Sequence, residues 1–240
     1  MLNKINIPDI EVLRAEHEAA LASMEQKSEA EIKREEWLKS RVGKFTSSEL
    51  GRLMTYEDDI YELPKGALTY IEEKVLEIMT DGKSVNQYTN ESMERGNEKE
   101  LEAIEVFEKR FDVICYATGS DQQFIEFNSS FGGTPDGFID TDDIIEVKCP
   151  NSKTHLFRIN NIRNLEDFKK HEKGIYWQIQ GNLLATGRKR CFFIDYDDRF
   201  IDPQLQLFVI QIHRNEYDIG KAIIRLDLAE KVKQQLLNIK

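Results

Sequence analysis

The sequence has little of what marks membrane, secreted and fibrous proteins. It contains only three cysteines and five prolines in 240 residues, and its apolar runs stay short of the roughly 20 residues that cross a membrane. No Cys-x-x-Cys pair occurs, which excludes a disulfide scaffold and gives little support to a zinc ribbon or an iron–sulfur cluster. The polar N-terminus does not resemble a signal peptide. We therefore expect reduced thiols, a cytoplasmic location and no membrane partner.

Two common catalytic motifs are also missing, as is an excess of basic charge. No Gly-x-x-x-x-Gly-Lys-Ser/Thr phosphate loop occurs, and the four histidines are scattered without a His-x-x-x-His pair, which argues against a nucleotide or zinc site. The 33 lysines and arginines are outnumbered by 44 acidic residues, for a net charge of −11. Because phosphate binding needs a basic surface, a nucleic-acid partner would require a groove that is locally basic.

Composition and patterning favour a globular α/β protein. Hydrophobic residues make up 40% of the chain and aromatic residues 10%, which is enough for a sizeable core. Hydrophobic periodicity predicts helices over 10–40, 66–79, 90–111, 175–186 and 216–239, and strands over 113–117, 123–127, 137–139, 144–148, 190–196 and 205–213. This order indicates an α/β or α+β domain built on one central sheet.

A break in the helical pattern at Gly43 precedes a segment suited to an anion. Thr46-Ser47-Ser48-Glu49 has the composition of a helix start, with a hydroxyl available to cap the first turn. Helix N-termini carry free N–H groups and the positive end of the helix dipole, which suit a phosphate. Arg41 would add a bidentate grip on phosphate oxygens, unless it pairs with an acidic neighbour such as Glu35 or Glu36.

The most informative polar residues lie between positions 132 and 150. Strand periodicity places Glu146 and Lys148 on one face of a strand whose other face is apolar. A polar turn over 140–143 would bring Asp136 beside Glu146. Two adjacent carboxylates repel unless a cation lies between them, and a hard divalent metal with a neighbouring lysine could activate a water there. A solvated hairpin with scattered charges is the alternative.

The helix predicted over 90–111, which Asn90 could cap, carries one carboxylate on its apolar stripe. At 100° per residue that stripe contains Met93, Asn97, Glu100, Ile104, Phe107 and Phe111. Burying an unpaired carboxylate costs on the order of several kcal/mol, so Glu100 needs a cationic partner. That partner is either a structural ion pair or a metal ion shared with the carboxylates above.

Four segments together resemble the motifs of one nuclease family. They are the stretch 37–48, which contains Arg41, Gly43, Thr46 and Ser48; the R-G-x-x-x-E-x-x-A pattern of Arg95, Gly96, Glu100 and Ala103; T-P-D-G at 134–137 followed by E-V-K-C-P at 146–150; and Y-W-Q-I-Q at 176–180. In this order they resemble the phage lambda exonuclease (YqaJ-type) alkaline exonuclease family of the PD-(D/E)XK nuclease superfamily.

The resemblance implies a fold and a set of site residues. The fold would be a PD-(D/E)XK core, with a central mixed β-sheet flanked by helices, over residues 37–240, after an N-terminal helical extension over 1–36. Lys148 and Gln178 would position the attacking water, and Arg41 with Ser48 would bind the 5′-phosphate of the DNA. Oxygen ligands for one or two Mg²⁺ ions, with Mn²⁺ as a substitute, would come from Glu100, Asp136, Glu146 and the Val147 carbonyl.

The function implied is a Mg²⁺-dependent 5′-to-3′ exonuclease on linear double-stranded DNA. It would release 5′-mononucleotides and leave a 3′ single-stranded overhang for phage recombination. The family also implies a ring-shaped homotrimer around DNA and a single-strand annealing protein as partner, in the bacterial host cytoplasm if the chain is phage-encoded.

Two alternatives remain, and one further segment is ambiguous. A sequence-specific PD-(D/E)XK endonuclease would share Asp136, Glu146 and Lys148 but would have no need for a 5′-phosphate pocket. A non-catalytic DNA-binding protein would have no need for an intact set of acidic residues and lysine. The basic cluster at 187–190 either contacts the DNA backbone or forms a solvated helix end.

Overall fold

A computed structural model describes residue 14 and residues 29–56, 59–84 and 91–238. The chain divides into two units, Met1–Leu38 and Lys39–Lys240. In the first unit, the described residues are Arg14 and the first ten residues of helix α1 (Glu29–Arg41). Most of the helical extension predicted over 1–36 lies outside the described residues.

The break predicted at Gly43 is confirmed. Helix α1 ends at Arg41, and Gly43 adopts a φ of +69°. A Cβ at this position would stand 2.4 Å from Cγ1 of Ile78, so both the conformation and the space require glycine. The Gly43 N–H donates to Oε2 of Glu77 at 2.9 Å, which fixes where the chain leaves the helix.

The predicted helix start follows this break, but its hydroxyl cap does not form. Strand β1 (Phe45–Thr46) leads through a 3₁₀ turn (Ser47–Glu49) into the short helix α2 (Leu50–Leu53). Thr46 makes no side-chain cap; its Oγ1 lies 3.1 Å from Oγ of Ser48 instead. The Thr46 hydroxyl therefore faces the Ser48 hydroxyl rather than the N–H groups of the turn.

Two long helices come next. They are α3 (Lys65–Met79) and α4 (Glu91–Phe111), close to the predicted 66–79 and 90–111. Ile104 and Phe107 are buried as the stripe on α4 predicts, whereas Phe111 is 43% exposed at the end of the helix. The capping role predicted for Asn90 and the side chains at 93 and 97 lie outside the described residues.

A four-stranded mixed sheet forms the centre of the second unit. It contains β4 (Gly137–Ile139), β5 (Asp143–Lys148), β6 (Arg190–Tyr196) and β7 (Leu207–His213), in that order. The β5–β6 pair is parallel, and the two outer pairs are antiparallel. A smaller sheet joins β1 to β2 (Ile125–Asn128) and β3 (Phe131–Gly133). Of its strands, only β2 was predicted, as the 123–127 strand.

The parallel β5–β6 pair requires a long crossover, which consists of three helices. Only the last of them, α7 (Lys173–Thr186), was predicted; α5 (Ser152–Asn161) and α6 (Leu165–His171) were not. Each missed helix begins at an asparagine cap, Asn151 and Asn164. Beyond β6, helix α8 (Pro203–Gln206) shortens the predicted 205–213 strand, and α9 (Glu216–Leu237) closes the chain.

The strand predicted over 113–117 is wrong. This stretch forms one isolated bridge, between Tyr116 and Phe138, and is otherwise irregular. Asp112 and Ala117 have positive φ values of 53° and 52°, so left-handed residues stand at both ends of the run. Such residues interrupt the extended backbone that a ladder needs.

Both faces of the central sheet are buried, in two separate clusters. Ile145 and Val147 of β5 pack with Ala103 and Phe107 of α4 on one face. Ile144 belongs to the cluster that contains the α7 side chains, on the other face. Glu146 therefore lies on the α7 side of the sheet. Within the described part of the chain, no helix has the length and apolar character to cross a membrane.

Candidate active site

The β4–β5 hairpin brings Asp136 next to the end of β5. The Asp136 N–H donates to the Ile145 carbonyl at 3.1 Å, and Oδ2 of Asp136 accepts the Val147 N–H at 2.7 Å. These two hydrogen bonds fix the Asp136 carboxylate against the β5 backbone at Val147, the residue after Glu146. The predicted juxtaposition of Asp136 and Glu146 across a polar turn is therefore confirmed as geometry.

Glu146 is fully buried and is held by three donors. Nζ of Lys148, on the same face of β5, contacts its Oε1 in an ion pair. The α7 side chains supply two amides: Nε2 of Gln178 donates to Oε1 at 2.6 Å, and Nδ2 of Asn182 donates to Oε2 at 3.1 Å. The carboxylate thus has a fixed orientation, with one charged and two neutral donors.

Glu100 reaches the same cluster from α4. Its Oε1 accepts a hydrogen bond from Nε2 of Gln122 at 2.7 Å. Burial, and then the charge of Asp136, raise the pKa of Glu100 to about 8, with a smaller contribution from Glu146. Among the described residues Glu100 forms no salt bridge, which leaves the ion-pair alternative without a direct partner there.

The same burial and neighbouring charges shift the pKa values of Glu146, Asp136 and Lys148. Burial, followed by the charge of Asp136, raises the pKa of Glu146 to about 7, and burial raises that of Asp136. Burial opposes the positive charge of Lys148, but Glu146 and Asp136 outweigh it, so the pKa of Lys148 is raised. Three carboxyl groups therefore share one lysine, and the cluster favours additional positive charge.

The donor set fits a hard divalent cation in its chemistry. Three carboxylates and the Val147 carbonyl would supply oxygen ligands, which Mg²⁺ and Mn²⁺ prefer. In the described residues, however, no group of three or more His, Cys, Asp or Glu side chains is arranged to hold a metal ion as it stands. Lys148 pairs with Glu146, and the Val147 N–H occupies Oδ2 of Asp136, so ion binding would require these contacts to rearrange.

Sequence reasoning found Gln178 but missed two other amides. Asn182 lies four residues after Gln178, so both side chains project from one face of α7. An asparagine inside the apolar stretch of this helix was a detectable signal, because a buried amide needs a partner. Gln122 lies in an irregular loop after Asp121, and no pattern in the sequence indicated its contact with Glu100.

Arg41 and Ser48 lie around one tyrosine, at the start of the second unit. Burial lowers the pKa of Arg41, while Tyr70, Glu77 and Glu49 act on its charge in the opposite direction. Tyr70 also accepts the Thr46 N–H through its hydroxyl at 3.0 Å, and the Thr46 side chain contacts exposed Ser48. The guanidinium stands 6.0 Å from the centre of the Phe124 ring.

The basic cluster at 187–190 pairs within the chain. Arg188 donates to three backbone carbonyls of residues 139–143 and to the Tyr116 hydroxyl. Lys189 pairs with Asp142, and Arg190 pairs with Asp143. These contacts attach the start of β6 to the β4–β5 turn, so the cluster has a structural role there.

Comparison with known proteins identifies related sequences and folds. The YqaJ-like viral recombinase domain family matches residues 36–189. An alkaline exonuclease from Laribacter hongkongensis, solved alone and in complex with dAMP, has a TM-score of 0.70 and 26% identity over 85% of this chain and 94% of its own. A phage-related exonuclease from Haemophilus somnus 129PT has a TM-score of 0.64 and 19% identity, over 81% and 95%. Comparison with curated proteins gives no match.

These similarities confirm the predicted fold class. The central mixed sheet flanked by helices is the PD-(D/E)XK arrangement of the alkaline exonuclease structures. The matched 36–189 region includes every residue from Arg41 to Asn182 named in the site.

Proposed function

Because the chain belongs to the YqaJ-like viral recombinase domain family, we propose that it is a nuclease acting on DNA, and specifically a Mg²⁺-dependent 5′-to-3′ exonuclease on linear duplexes. It releases 5′-mononucleotides and leaves a 3′ overhang for recombination. The observation that carries the proposal is the convergence of Glu100, Asp136 and Glu146 around Lys148. The nuclease domain spans residues 37–240, with 1–36 as an extension.

The acidic residues and the lysine have separate roles in this proposal. Glu100, Asp136, Glu146 and the Val147 carbonyl hold the divalent cation, which supplies Lewis-acid polarisation of the scissile phosphate when bound. Lys148 is a cation whose raised pKa makes Nζ a donor rather than a base. Nζ orients the attacking water and faces the charge that develops on the phosphate oxygens. Gln178 restricts the orientation of Glu146 through Oε1.

The segment around Arg41 and Ser48 selects the DNA end. A terminal 5′-phosphate carries more negative charge than an internal phosphodiester, so the half-buried guanidinium of Arg41 favours it. Ser48 offers an exposed hydroxyl near Tyr70 and Thr46 as a second donor. This selection is what an exonuclease needs and a sequence-specific endonuclease does not.

The partners and location follow from the same family. We propose a homotrimeric ring that encloses the duplex, a single-strand annealing protein as recombination partner, and a cytoplasmic location. Sedimentation of the purified protein with and without duplex DNA tests the trimer. A monomer under both conditions would contradict it.

The nuclease activity is tested with substrates that differ in their ends. Linear duplexes labelled at the 5′ or 3′ terminus and a covalently closed plasmid are incubated with protein and Mg²⁺, with EDTA as control. We expect early release of the 5′ label as mononucleotide, slow release of the 3′ label and an intact plasmid. Cleavage of the plasmid would favour the endonuclease, and no cleavage of any substrate would favour a non-catalytic DNA-binding protein.

A pair of acidic variants then tests the site. Asp136→Ala should abolish cleavage, because it removes a carboxylate of the central cluster. Asp140→Ala removes an exposed carboxylate from the same hairpin and should retain activity. Equal activity of both variants would contradict the role given to Asp136.

A further inference from the structure

We propose that Asn182 is a positioning residue, which fixes the orientation of Glu146 from helix α7 and links it to the segment that carries Ser48. The inference deepens the proposed function and rests on it. It assigns a role to a side chain that lies one helical turn beyond Gln178.

Asn182 and Gln178 divide the two oxygens of one carboxylate between them. Gln178 donates to Oε1 of Glu146 at 2.6 Å and Asn182 donates to Oε2 at 3.1 Å. Both donors are neutral amides, so they fix the direction of the carboxylate without cancelling its charge. The negative charge therefore remains available to a cation, whereas a second lysine at position 182 would compete with that cation.

The burial of Asn182 indicates that its polar atoms serve a purpose. The residue is fully buried, and Oδ1 has no hydrogen-bond partner among the described residues. An unsatisfied buried carbonyl is costly, so a purely structural position would favour an apolar side chain. Turning the amide over would place Oδ1 against the Glu146 carboxylate, so Glu146 determines which way the amide faces.

The other side of Asn182 faces the N-terminal segment of the second unit. A Cβ on Gly133 would stand 2.4 Å from Oδ1 of Asn182 and 2.3 Å from Oγ of Ser47. Only glycine allows both oxygens to approach the β3 backbone, and they are consequently close to each other. Oγ of Ser47 donates to the Gly132 carbonyl at 3.3 Å, so its hydrogen bond goes to the β3 backbone.

These positions place Ser47 and Asn182 next to each other on the same side of the Gly133 backbone. Ser47 directly precedes Ser48, and Asn182 lies between Ser47 and Glu146. A change in the 3₁₀ turn when it binds a phosphate would therefore reach Glu146 through one side chain. Asn182 acts through Glu146 and does not itself contact the reacting atoms.

The test compares two buried amides of the same helix. Asn182→Leu removes the amide next to Glu146 and roughly keeps its size. Gln180→Met is the matched control, because Gln180 is equally buried on the same helix. Its side chain donates to the His213 carbonyl and accepts the Asn215 N–H, both at 2.9 Å. These partners are far from the carboxylates in sequence and on a different side of the helix. Each variant is measured for Mn²⁺ and Mg²⁺ affinity by calorimetry without DNA, for kcat and KM on a 5′-phosphorylated duplex, and for thermal stability.

We expect Asn182→Leu to weaken ion affinity or lower kcat by about 10- to 100-fold, as is usual when a partner of a metal ligand is removed, with KM nearly unchanged. Gln180→Met should lose stability but keep wild-type ion affinity and kcat. Ser47→Ala should reduce kcat by less than Asn182→Leu, and the double variant should lose less than the product of the two separate losses. If Asn182→Leu does not fold, Asn182→Ser is measured in the same way.

Two results would overturn the proposal. One is wild-type ion affinity and kcat in a folded Asn182 variant, and the other is an equal loss of both in Gln180→Met. Failure of the proposed function gives a different signature: a wild-type protein that binds Mn²⁺ but leaves linear duplexes intact. In that case the calorimetric comparison still decides the role of Asn182, and a wild type that binds neither ion overturns both proposals.

Discussion

The charged residues of the site lie at positions on their strand or helix that could be predicted from the sequence. Glu146 and Lys148 alternate with apolar residues on β5, and period-two alternation was enough to predict their shared face. The apolar stripe on α4 similarly distinguishes Glu100 by its spacing alone. What the sequence could not show was the hydrogen bonding of these groups, because Gln122 and Asn182 come from segments distant along the chain.

Lys148 provides the first prediction at this scale. Lys148→Ala should lower kcat by about two to four powers of ten, the usual range for a positioned catalytic group. DNA affinity should change little, because Nζ is paired with the buried Glu146 carboxylate. Rates are measured with Mg²⁺ and binding with Ca²⁺. A collapse of binding with unchanged residual turnover would make the lysine a phosphate anchor instead.

Glu100 provides the second prediction. A single variant distinguishes its two candidate roles, which are metal ligand and member of a structural ion pair. Glu100→Gln should lose most activity, since an amide is a poorer ligand for a hard cation than a carboxylate. Without metal it should unfold at the same temperature or higher, because burial and Asp136 disfavour the charged form of Glu100 at neutral pH. A destabilised Glu100→Gln protein with full activity would favour a structural ion pair.

At the scale of elements, long helices were predictable and short capped ones were not. Helices α3, α4, α7 and α9 are 14 to 22 residues long, and their predicted bounds agree closely with the structure. Helices α5 and α6 are 10 and 7 residues long and begin at asparagine caps, so their apolar signal is short. In the smaller sheet, β2 overlaps the predicted 123–127 strand, whereas β1 and β3 escaped prediction because they are only two and three residues long.

One buried carboxylate, Asp197, helps to attach helix α4 to the end of β6. Asp197 accepts hydrogen bonds from Arg199, with Nε at 2.6 Å, and from Arg95 of α4 at 3.2 Å. Burial opposes its ionisation, but the Arg199 and Ser152 hydrogen bonds outweigh burial and lower the pKa of Asp197 to about 2. The R-G motif residue Arg95, five residues before Glu100, is thereby fixed.

The lowered pKa gives a pH prediction with a definite sign. A carboxylate with a depressed pKa in the folded state stabilises the fold above its unfolded pKa of about 3.9, and the contribution is lost as pH falls toward 2. Asp197→Asn should therefore cost about 2 kcal/mol at pH 7 and progressively less between pH 4 and pH 2. Urea unfolding of both proteins across this range measures the difference. A difference independent of pH would contradict the assignment.

The whole molecule is acidic, yet its proposed substrate is a polyanion. The net charge of −11 therefore repels DNA at long range, and the 187–190 cluster does not compensate because it pairs with the β4–β5 turn. Attraction has to come from local groups such as Arg41, which Phe124 and Tyr70 surround. We expect DNA binding to depend on the chemistry of the end rather than on total charge.

The Arg41 variant tests this expectation on the intact protein. Wild type should degrade 5′-phosphorylated duplexes faster than 5′-hydroxyl duplexes, and Arg41→Ala should lose the preference while keeping some activity on both. Arg188→Ala is the control, because its guanidinium binds the β4–β5 turn, and it should keep the preference. Equal wild-type rates on both ends would remove the argument for a 5′-phosphate pocket and favour the endonuclease.

The three-helix crossover between the parallel strands also determines when the site can exist during folding. Glu146 precedes the crossover, and its partners Gln178 and Asn182 follow most of it, at separations of 32 and 36 residues. Contacts of this separation form only after the intervening chain has closed its loop, which makes them slow to form. Cation affinity should consequently appear in the last step of refolding, after most of the helical signal has recovered. A bound ion would then act as a reporter of complete folding, because a chain with an unformed crossover lacks the two amides that orient Glu146.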